Sequence, residues 1–437
     1  MERLNQYASR FLFHVKEIPE TEKHKRKKGS IEHIPFVDWS DKIMSDPFIS
    51  KEINYDNSIT KIYKTIEGKR FGFEDVIYPH FIKFTSLLSS LPLFKDQASQ
   101  RFILDETFNW VIDSFKANRI QLQLFSYLQN RIGQETEIRT YHFPVFNLHI
   151  EEPFQIGNSK FQYFTKQYFD ECYNEFENPK TSKEEFDNLF KKYYGKVVIS
   201  CKAHAEPIKS EELAFIEASL AMDVFRLFSP AVFVPTVIFK VDLEKRININ
   251  PSSDHLTEIQ KDGKDISFSF DANNDPFYFD KKIYNLVSQY GLTLFSDFIK
   301  TPKKDDLSKL ILQSISFYSF TLSIQDFHLR ISQLIMIIEG LLLEEGYVKD
   351  MGKKAKYRLC KLMFQEGSKE FIALNSVMTS MYNVRHEITH KGNRIHIHIS
   401  HFRYLQIILV EFLKKLIALN LTLKNKNELI TYIDSSH

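Results

Sequence analysis

The chain has 437 residues, more than one average core holds, so its length predicts two or three domains. An apolar share of 43% excludes disorder over most of that length, and a formal net charge of +2 names no class of partner by itself. Phe occurs 40 times, which predicts aromatic-rich cores, although a composition heavy in Phe, Ile, Lys and Asn is also what an AT-rich genome encodes.

Cys172, Cys201 and Cys360 are far apart and form no CxxC, which argues against a disulfide framework and a Cys-type zinc site. A reducing cytoplasm is the simplest setting, and no secretory h-region is visible at the N-terminus. No run reaches the roughly 20 apolar residues of a membrane span; near Ile407–Val410 the run is broken by Glu411, Lys414 and Lys415.

In chain order, residues 1–60 read as irregular. The run Lys23-His24-Lys25-Arg26-Lys27-Lys28 is either a solvated loop or an arm that touches nucleic acid. Residues 97–130 carry helical spacing through Phe102, Ile103, Trp110, Val111, Phe115, Leu122, Phe125 and Leu128, making residues 1–132 a mixed, mostly helical region. From 138 to 165 the pattern alternates and is punctuated, predicting short strands, and 196–205 is a further strand. A helix is predicted from Ser210, burying Leu213, Ile216, Leu220, Val224 and Leu227, then a strand over 231–241 and a turn-rich excursion over 254–280.

The polar stretch Thr301-Pro302-Lys303-Lys304-Asp305-Asp306 reads as a domain boundary, so 133–304 is an α+β domain and 305–437 a helical one. The fold class is therefore multidomain, an α+β N-terminal region followed by an all-α bundle. Helices are predicted at about 307–322, 326–345, 353–365, 369–389 and 400–421, with Ser400 as an N-cap.

The last domain concentrates the chemistry. Five of the fifteen His fall between His386 and His401, and Lys/Arg exceed Asp/Glu after residue 305. Cleaving RNA without a metal needs a base for the 2′-hydroxyl, an acid for the leaving 5′-oxygen and a fixed cation for the charged phosphorane. Imidazole suits the first two because it titrates near working pH, and guanidinium suits the third because its planar fork grips phosphate. Arg385, His386 and His390 bring these groups within six residues. Residues five apart on a helix differ by about 140° around the axis, so Arg385 and His390 do not share a face. Either the helix loosens before Gly392, or a second subunit completes the site across a two-fold axis.

The segment Asn383-Val384-Arg385-His386-Glu387-Ile388-Thr389-His390-Lys391-Gly392 resembles the Arg-x4-6-His signature of the HEPN superfamily. Ile337-Ile338-Glu339-Gly340-Leu341-Leu342-Leu343 resembles the acidic, apolar helix that precedes it in Apea-like HEPN proteins, and the helical pattern from about 307 to 422 fits that bundle. A looser similarity to the upstream domain of large bacterial members covers Phe143–Gly157 and Val224–Phe228, and residues 1–130 match nothing.

The resemblance implies an HEPN-like bundle and a ribonuclease active as a homodimer, of the toxin or antiphage kind, with residues 1–304 sensing a trigger and no cofactor. By motif position Arg385 would hold phosphate, His390 would be the acid–base residue, His386 the polar residue after the Arg, and Glu339 would orient Arg385. Toxins of the family controlled by nucleotidylylation carry a Tyr two residues after the His. Gly392 stands there in this chain, a departure that puts this control in doubt.

Lys353, Lys354, Lys391 and Arg394 are candidate RNA contacts, and Lys353, Lys354, Lys356, Arg358 and Lys361 make the third bundle helix basic. Plainer readings stand beside these. Arg385 is an ion-pair partner of Glu339 or Glu387, His390 interacts with the helix dipole, and the basic helix is a solvated face. His396, His398 and His401 are RNA contacts or solvated surface rather than a metal site, since no carboxylate or Cys completes a ligand set. The whole domain is alternatively a non-catalytic dimeric module that binds RNA, a nucleotide or a protein trigger.

Overall fold

The structure, a computed structural model, describes residues 1–18, 49–53, 59–73, 76–167, 183–246, 255–262, 265–271, 276–344, 346 and 350–435. The basic run at 23–28 lies outside the described residues. Two compact units emerge. The first comprises Met1–Thr140 with Lys202–Ala214, and the second Tyr141–Cys201 with Phe215–His437.

The first unit opens with helix α1 (Glu2–Arg10), where an irregular stretch was expected. Strands β1 (Lys16–Glu17), β2 (Ile49–Ile53), β3 (Ile59–Ile66) and β4 (Lys69–Phe73) form an antiparallel sheet in the order β1-β4-β3-β2. Gly72 of β4 lies so close to β3 that a Cβ there would sit 2.0 Å from the Ile62 carbonyl oxygen. Helices α2 (Tyr78–Ser90), α3 (Gln100–Lys116) and α4 (Leu124–Glu135) follow; α3 and α4 lie close to where apolar spacing placed them, and α2 had no counterpart. The predicted aromatic core is present. Phe73 meets Phe81 and Phe108 at ring-centroid separations of 5.0 and 5.6 Å, and Phe11 meets Phe81 at 5.3 Å.

Strands β5 (Glu137–Phe146), β6 (Leu148–Ile150), β7 (Phe154–Ile156) and β8 (Ser159–Tyr163), then α5 (Lys183–Tyr193) and β9 (Val197–Ala205), follow. A five-stranded sheet runs β10-β5-β9-β8-β7, with β10 at Asp242–Leu243. Helix α6 starts at Pro207, three residues before the predicted start, and runs to Leu227. Its buried stripe differs from the expected one. Ile216 is 61% exposed, while Ala214, Ala218, Ala221, Met222, Val224 and Phe225 are buried. Small Ala side chains on the inner face leave room for aromatic packing in the second unit, where Phe225 meets Phe161 at 5.7 Å and Phe279 at 5.0 Å.

The strand predicted over 231–241 is instead a short helix, α7 (Pro230–Phe233), followed by a turn at 235–236 and chain that joins no sheet. The supposed turn-rich excursion contains the hairpin β11 (His255–Asp262) and β12 (Asp265–Asp271), then β13 (Phe277–Phe279), which pairs parallel with β6. Helices α8 (Lys281–Val287) and α9 (Thr293–Lys300) flank one π-helical turn whose Gly291 adopts φ +130°.

Six helices follow: α10 (Asp306–Thr321), α11 (Phe327–Leu342), α12 (Met351–Met363), α13 (Lys369–Lys391), α14 (Ile399–Leu419) and α15 (Lys426–Ser435). The first five match the predicted bundle to within a few residues, and α15 had no counterpart. Helix α14 begins at Ile399 after His398, one residue before the start expected from a Ser400 cap.

The boundary expected near 305 falls inside the second unit. Asp305, read as linker, is the N-cap of α10, accepting from the Ser308 amide at 2.7 Å, and it also accepts from Asn420 Nδ2 at 3.1 Å. Buried polar groups join the two supposed domains. Arg226 of α6, 2% exposed, pairs with Asp242 at 2.7 Å and donates to Ser323 Oγ beyond α10. Arg330 of α11, fully buried, donates to the Pro235 carbonyl at 2.8 Å and lies over the Phe402 ring at 5.1 Å. Gln406 of α14 donates to the Ala231 carbonyl at 3.2 Å. Among the described residues no helix is long and apolar enough to cross a membrane.

Two stability measurements follow. Asp242→Ala strands the Arg226 guanidinium in the core, and urea unfolding should show a loss of about 3–5 kcal/mol; a loss below about 1 kcal/mol contradicts the role given to this pair. In the bundle, hydrogen bonding from Arg358 holds the Glu344 carboxyl down at about 2, and Arg358 also grips Asp434 of α15 at 2.7 Å. A depressed carboxyl stabilises the fold above its unfolded pKa of about 4.3. That contribution should fade as pH falls from about 4.3 towards 2, seen as lower amide protection factors in α15 relative to intrinsic exchange, and Glu344→Gln should flatten this acid limb.

Candidate functional site

Helices α11 and α13 carry the predicted residues. Asp326 caps α11, its Oδ1 accepting from the amides of His328 at 2.9 Å and Leu329 at 3.2 Å. Ile331, Leu334, Ile335, Ile338, Leu341 and Leu342 are buried, so Glu339 lies at the edge of the apolar stripe. Ser368 caps α13, accepting from the Phe371 amide at 3.1 Å. Its buried stripe of Leu374, Val377, Met378, Met381 and Val384 has helical spacing and ends one residue before Arg385.

This phasing decides the geometry. Arg385 lies at the rim of the core and makes an ion pair with Glu339 at 2.5 Å, with 26% and 11% of the two side chains exposed. Of the two carboxylates offered by the sequence, the Arg takes Glu339. Glu387 instead accepts from Lys391 at 2.7 Å and Asn393 at 3.3 Å, and these donors hold its carboxyl below the ordinary range.

The loosening allowed before Gly392 does not occur. Helix α13 stays regular through Lys391, and Gly392, at φ +68°, ends it with its amide on the Ile388 carbonyl at 3.2 Å. Arg385 and His390 therefore stay about 140° apart around the axis. The structure brings together a different pair. His386 and His390, four residues apart, place their rings 4.9 Å between centroids at 45°, and both are exposed.

The candidate RNA contacts divide. Lys353 and Lys354 are exposed at the start of α12, Lys353 standing 3.6 Å from Asp350. Lys391 is bound to Glu387, and Arg394 to Asp326 at 2.6 Å. The basic third helix is only partly a solvated face. Arg358 is buried and structural, Lys356 donates to Thr379 Oγ1 at 2.8 Å, and Lys361 donates to the Asp434 carbonyl at 3.1 Å. His396 and His398 lie 5.1 Å apart, and His398 and His401 5.3 Å apart, by ring centroid. Among the described residues no group of three or more His, Cys, Asp or Glu has a geometry that could hold a metal ion.

Three neighbours were missed. His328 Nε2 lies 2.9 Å from the Ile395 carbonyl and, with the Arg394–Asp326 pair, straps the 392–398 segment to the start of α11. Tyr382 sits one turn before Arg385; burial, then the Glu339 charge, push its phenol up. Gly352 admits the Tyr382 ring, since a Cβ there would lie 3.0 Å from two ring carbons. A glycine in the first turn of a basic helix is the kind of sequence feature that accompanies such a close approach, and it did not enter the expectations drawn from the sequence.

A cleft of about 530 Å³ lies in the first unit, lined by Lys64, Asp105, Glu106, Asn109, Tyr127 and Arg131 among others. Several of its polar groups pair with one another: Glu106 accepts from Arg131 at 2.8 Å and Tyr127 at 2.9 Å, and Lys64 donates to Asn109 at 2.7 Å.

Gly392→Ala isolates the effect of the helix end, because a Cβ there meets nothing within 4 Å and only the backbone conformation costs. It should destabilise by about 1 kcal/mol and speed amide exchange at 388–391. An unchanged exchange pattern would mean that the cap does not hold the last turn, and His390 with it. Compared with protein-family models, with curated proteins and with solved structures, the chain matches none.

Proposed function

We propose that this chain is a metal-independent endoribonuclease of the HEPN type, acting as a homodimer. The observation that carries the reading is the end of α13, where Glu339 holds Arg385 at 2.5 Å towards α11 and the exposed rings of His386 and His390 come together on another face. Arg385 supplies the fixed cation for phosphate, and the imidazoles supply a base for the 2′-hydroxyl and an acid for the leaving 5′-oxygen. Glu339 offsets part of the field of Arg385 but fixes its direction, and a forked guanidinium keeps its full charge and further N–H donors for phosphate. A second copy of the chain completes the site by bringing its own Arg385 towards the imidazoles. His396, His398, Lys353 and Lys354 offer exposed donors for the flanking RNA. In this reading the protein works in the cytoplasm as an antiphage or toxin-like effector, and residues 1–304 sense or regulate.

A second reading draws support from the pairing of the cations. With Arg385, Lys391 and Arg394 each on a carboxylate, the domain would be a dimeric module that binds RNA, a nucleotide or a protein trigger without chemistry.

RNA incubated with the purified protein in EDTA separates the two. The ribonuclease reading expects cleavage leaving 2′,3′-cyclic phosphate ends. His390→Ala and Arg385→Ala should each lower the rate by at least about 10²-fold while the circular dichroism spectrum stays unchanged. An inert wild type that still binds RNA favours the binding module, and cleavage undiminished in His390→Ala sinks the site assignment.

A further inference from the structure

Completing the site with a second chain leaves open which chain supplies each proton transfer. We infer that His386 and His390 of one chain are together the base and the acid, so that both proton transfers occur in cis; this rests on the ribonuclease reading above.

The argument starts from the helix. Residues four apart on a regular α-helix differ by about 40° around the axis and by about 6 Å along it, so their side chains stack on one face. Helix α13 is regular across both positions, and the two rings lie 4.9 Å apart by centroid. Arg385 precedes His386 by about 100° of rotation and points to α11, where Glu339 holds it. Within one chain, the groups that the fold assembles are thus the two imidazoles.

Their surroundings suit proton exchange. Both rings are exposed, and among the described residues neither has a hydrogen-bond or ion-pair partner. Of the nearby charges on the helix, Glu387 is bound by Lys391 and Asn393 and feels His386 only as its smallest electrostatic influence, and Arg385 is bound by Glu339. Exposed side chains change rotamer within nanoseconds, so the two rings can part to receive one phosphodiester between them, each about 2.7–3.0 Å from its oxygen.

The chemistry balances. One neutral imidazole takes the proton of the 2′-hydroxyl, and that oxygen forms a bond to phosphorus while the bond from phosphorus to the 5′-oxygen breaks. The other ring, protonated, gives its proton to the departing 5′-oxygen. The products are a 2′,3′-cyclic phosphate and a 5′-hydroxyl. The two rings have exchanged protonation states, which proton transfer through water restores. A second copy of the chain is then needed for its Arg385 and not for either proton.

Assemblies made from two differently tagged chains, purified through both tags, decide the matter. Wild type paired with the double variant His386→Ala, His390→Ala keeps one complete pair and should retain about half the wild-type rate. His386→Ala paired with His390→Ala should stay at background. If His386 of one chain worked with His390 of the other, the outcomes would reverse, with background activity for the first pairing and about half for the second; if the two copies of His390 were acid and base, both pairings would stay at background; either result overturns the inference. Full activity in homogeneous His386→Ala also overturns it. Should the tags not co-purify and the chain cleave as a monomer, loss of cleavage in each single variant supports the cis pair. A wild type that leaves RNA intact fails the ribonuclease reading itself, which the mixed assemblies distinguish because their outcomes are ratios to wild type.

Discussion

Helix α13 keeps its period to its last residue, and the arrangement of the candidate site depends on that constraint. The buried stripe from Leu374 to Val384 locks the rotation of the helix against the bundle, because moving it would expose five apolar side chains. Once that phase is set, Arg385 must fall at the rim of the core, and His386 and His390 must fall on the face turned to water. Gly392 then stops the helix in a left-handed conformation that costs a glycine little, so the last turn carrying His390 is held. A helix that unravelled two residues earlier would free His390 to swing towards Arg385, and the chemistry would be read differently.

Around this helix the neighbours fix directions. Glu339 turns a long, flexible arginine into a positioned one, and Tyr382 fills the space beside that pair because Gly352 lets the aromatic ring approach the backbone of α12. The segment after Gly392 is tied to the start of α11 by the Arg394–Asp326 pair and by His328 on the Ile395 carbonyl. Two amide donors hold Asp326 in place, and although burial alone would raise its carboxyl, those donors with Arg394 keep it low. One carboxylate therefore caps a helix and anchors a loop together.

The second unit is held by charges inside it. Arg226, Asp242, Asp223 and Arg246 form a connected set, with Arg246 meeting Asp223 at 2.9 Å and Asp242 at 3.3 Å. Buried ion pairs add little net stability, but removing one partner is costly, so such a set specifies which elements must pack together. Here it links α6 and β10, while Arg226 reaches on to Ser323 beyond α10. Arg330 adds a cation with no carboxylate partner among the described residues, stabilised by a carbonyl and an aromatic face. These contacts make one unit of two segments that composition divides at a polar stretch.

The sequence by itself determined the elements whose signal is local. Apolar spacing placed α3, α4 and α10 to α14 to within a few residues, because a helix buries one stripe and the stripe is written at a period of 3.6. It also named Arg385, Glu339, His386 and His390, since residue types suited to phosphate and proton transfer stand out in a short motif. Only the tertiary structure decided the rest. Whether Arg385 pairs with Glu339 or Glu387 depends on which side of α13 faces α11, and which face of α6 is buried depends on the aromatic rings it meets, so Ile216 points outward while four small or flexible residues, Ala214, Ala218, Ala221 and Met222, point in. The polar stretch at 301–306 resembles a linker because a helix cap and a linker use the same residue types. The partner of Asp305 lies more than a hundred residues away at Asn420, and no local pattern carries that distance. For the same reason the 231–241 segment, rich in β-branched residues, forms no ladder: a strand needs a neighbour with free backbone groups, and neighbours are assigned by the fold.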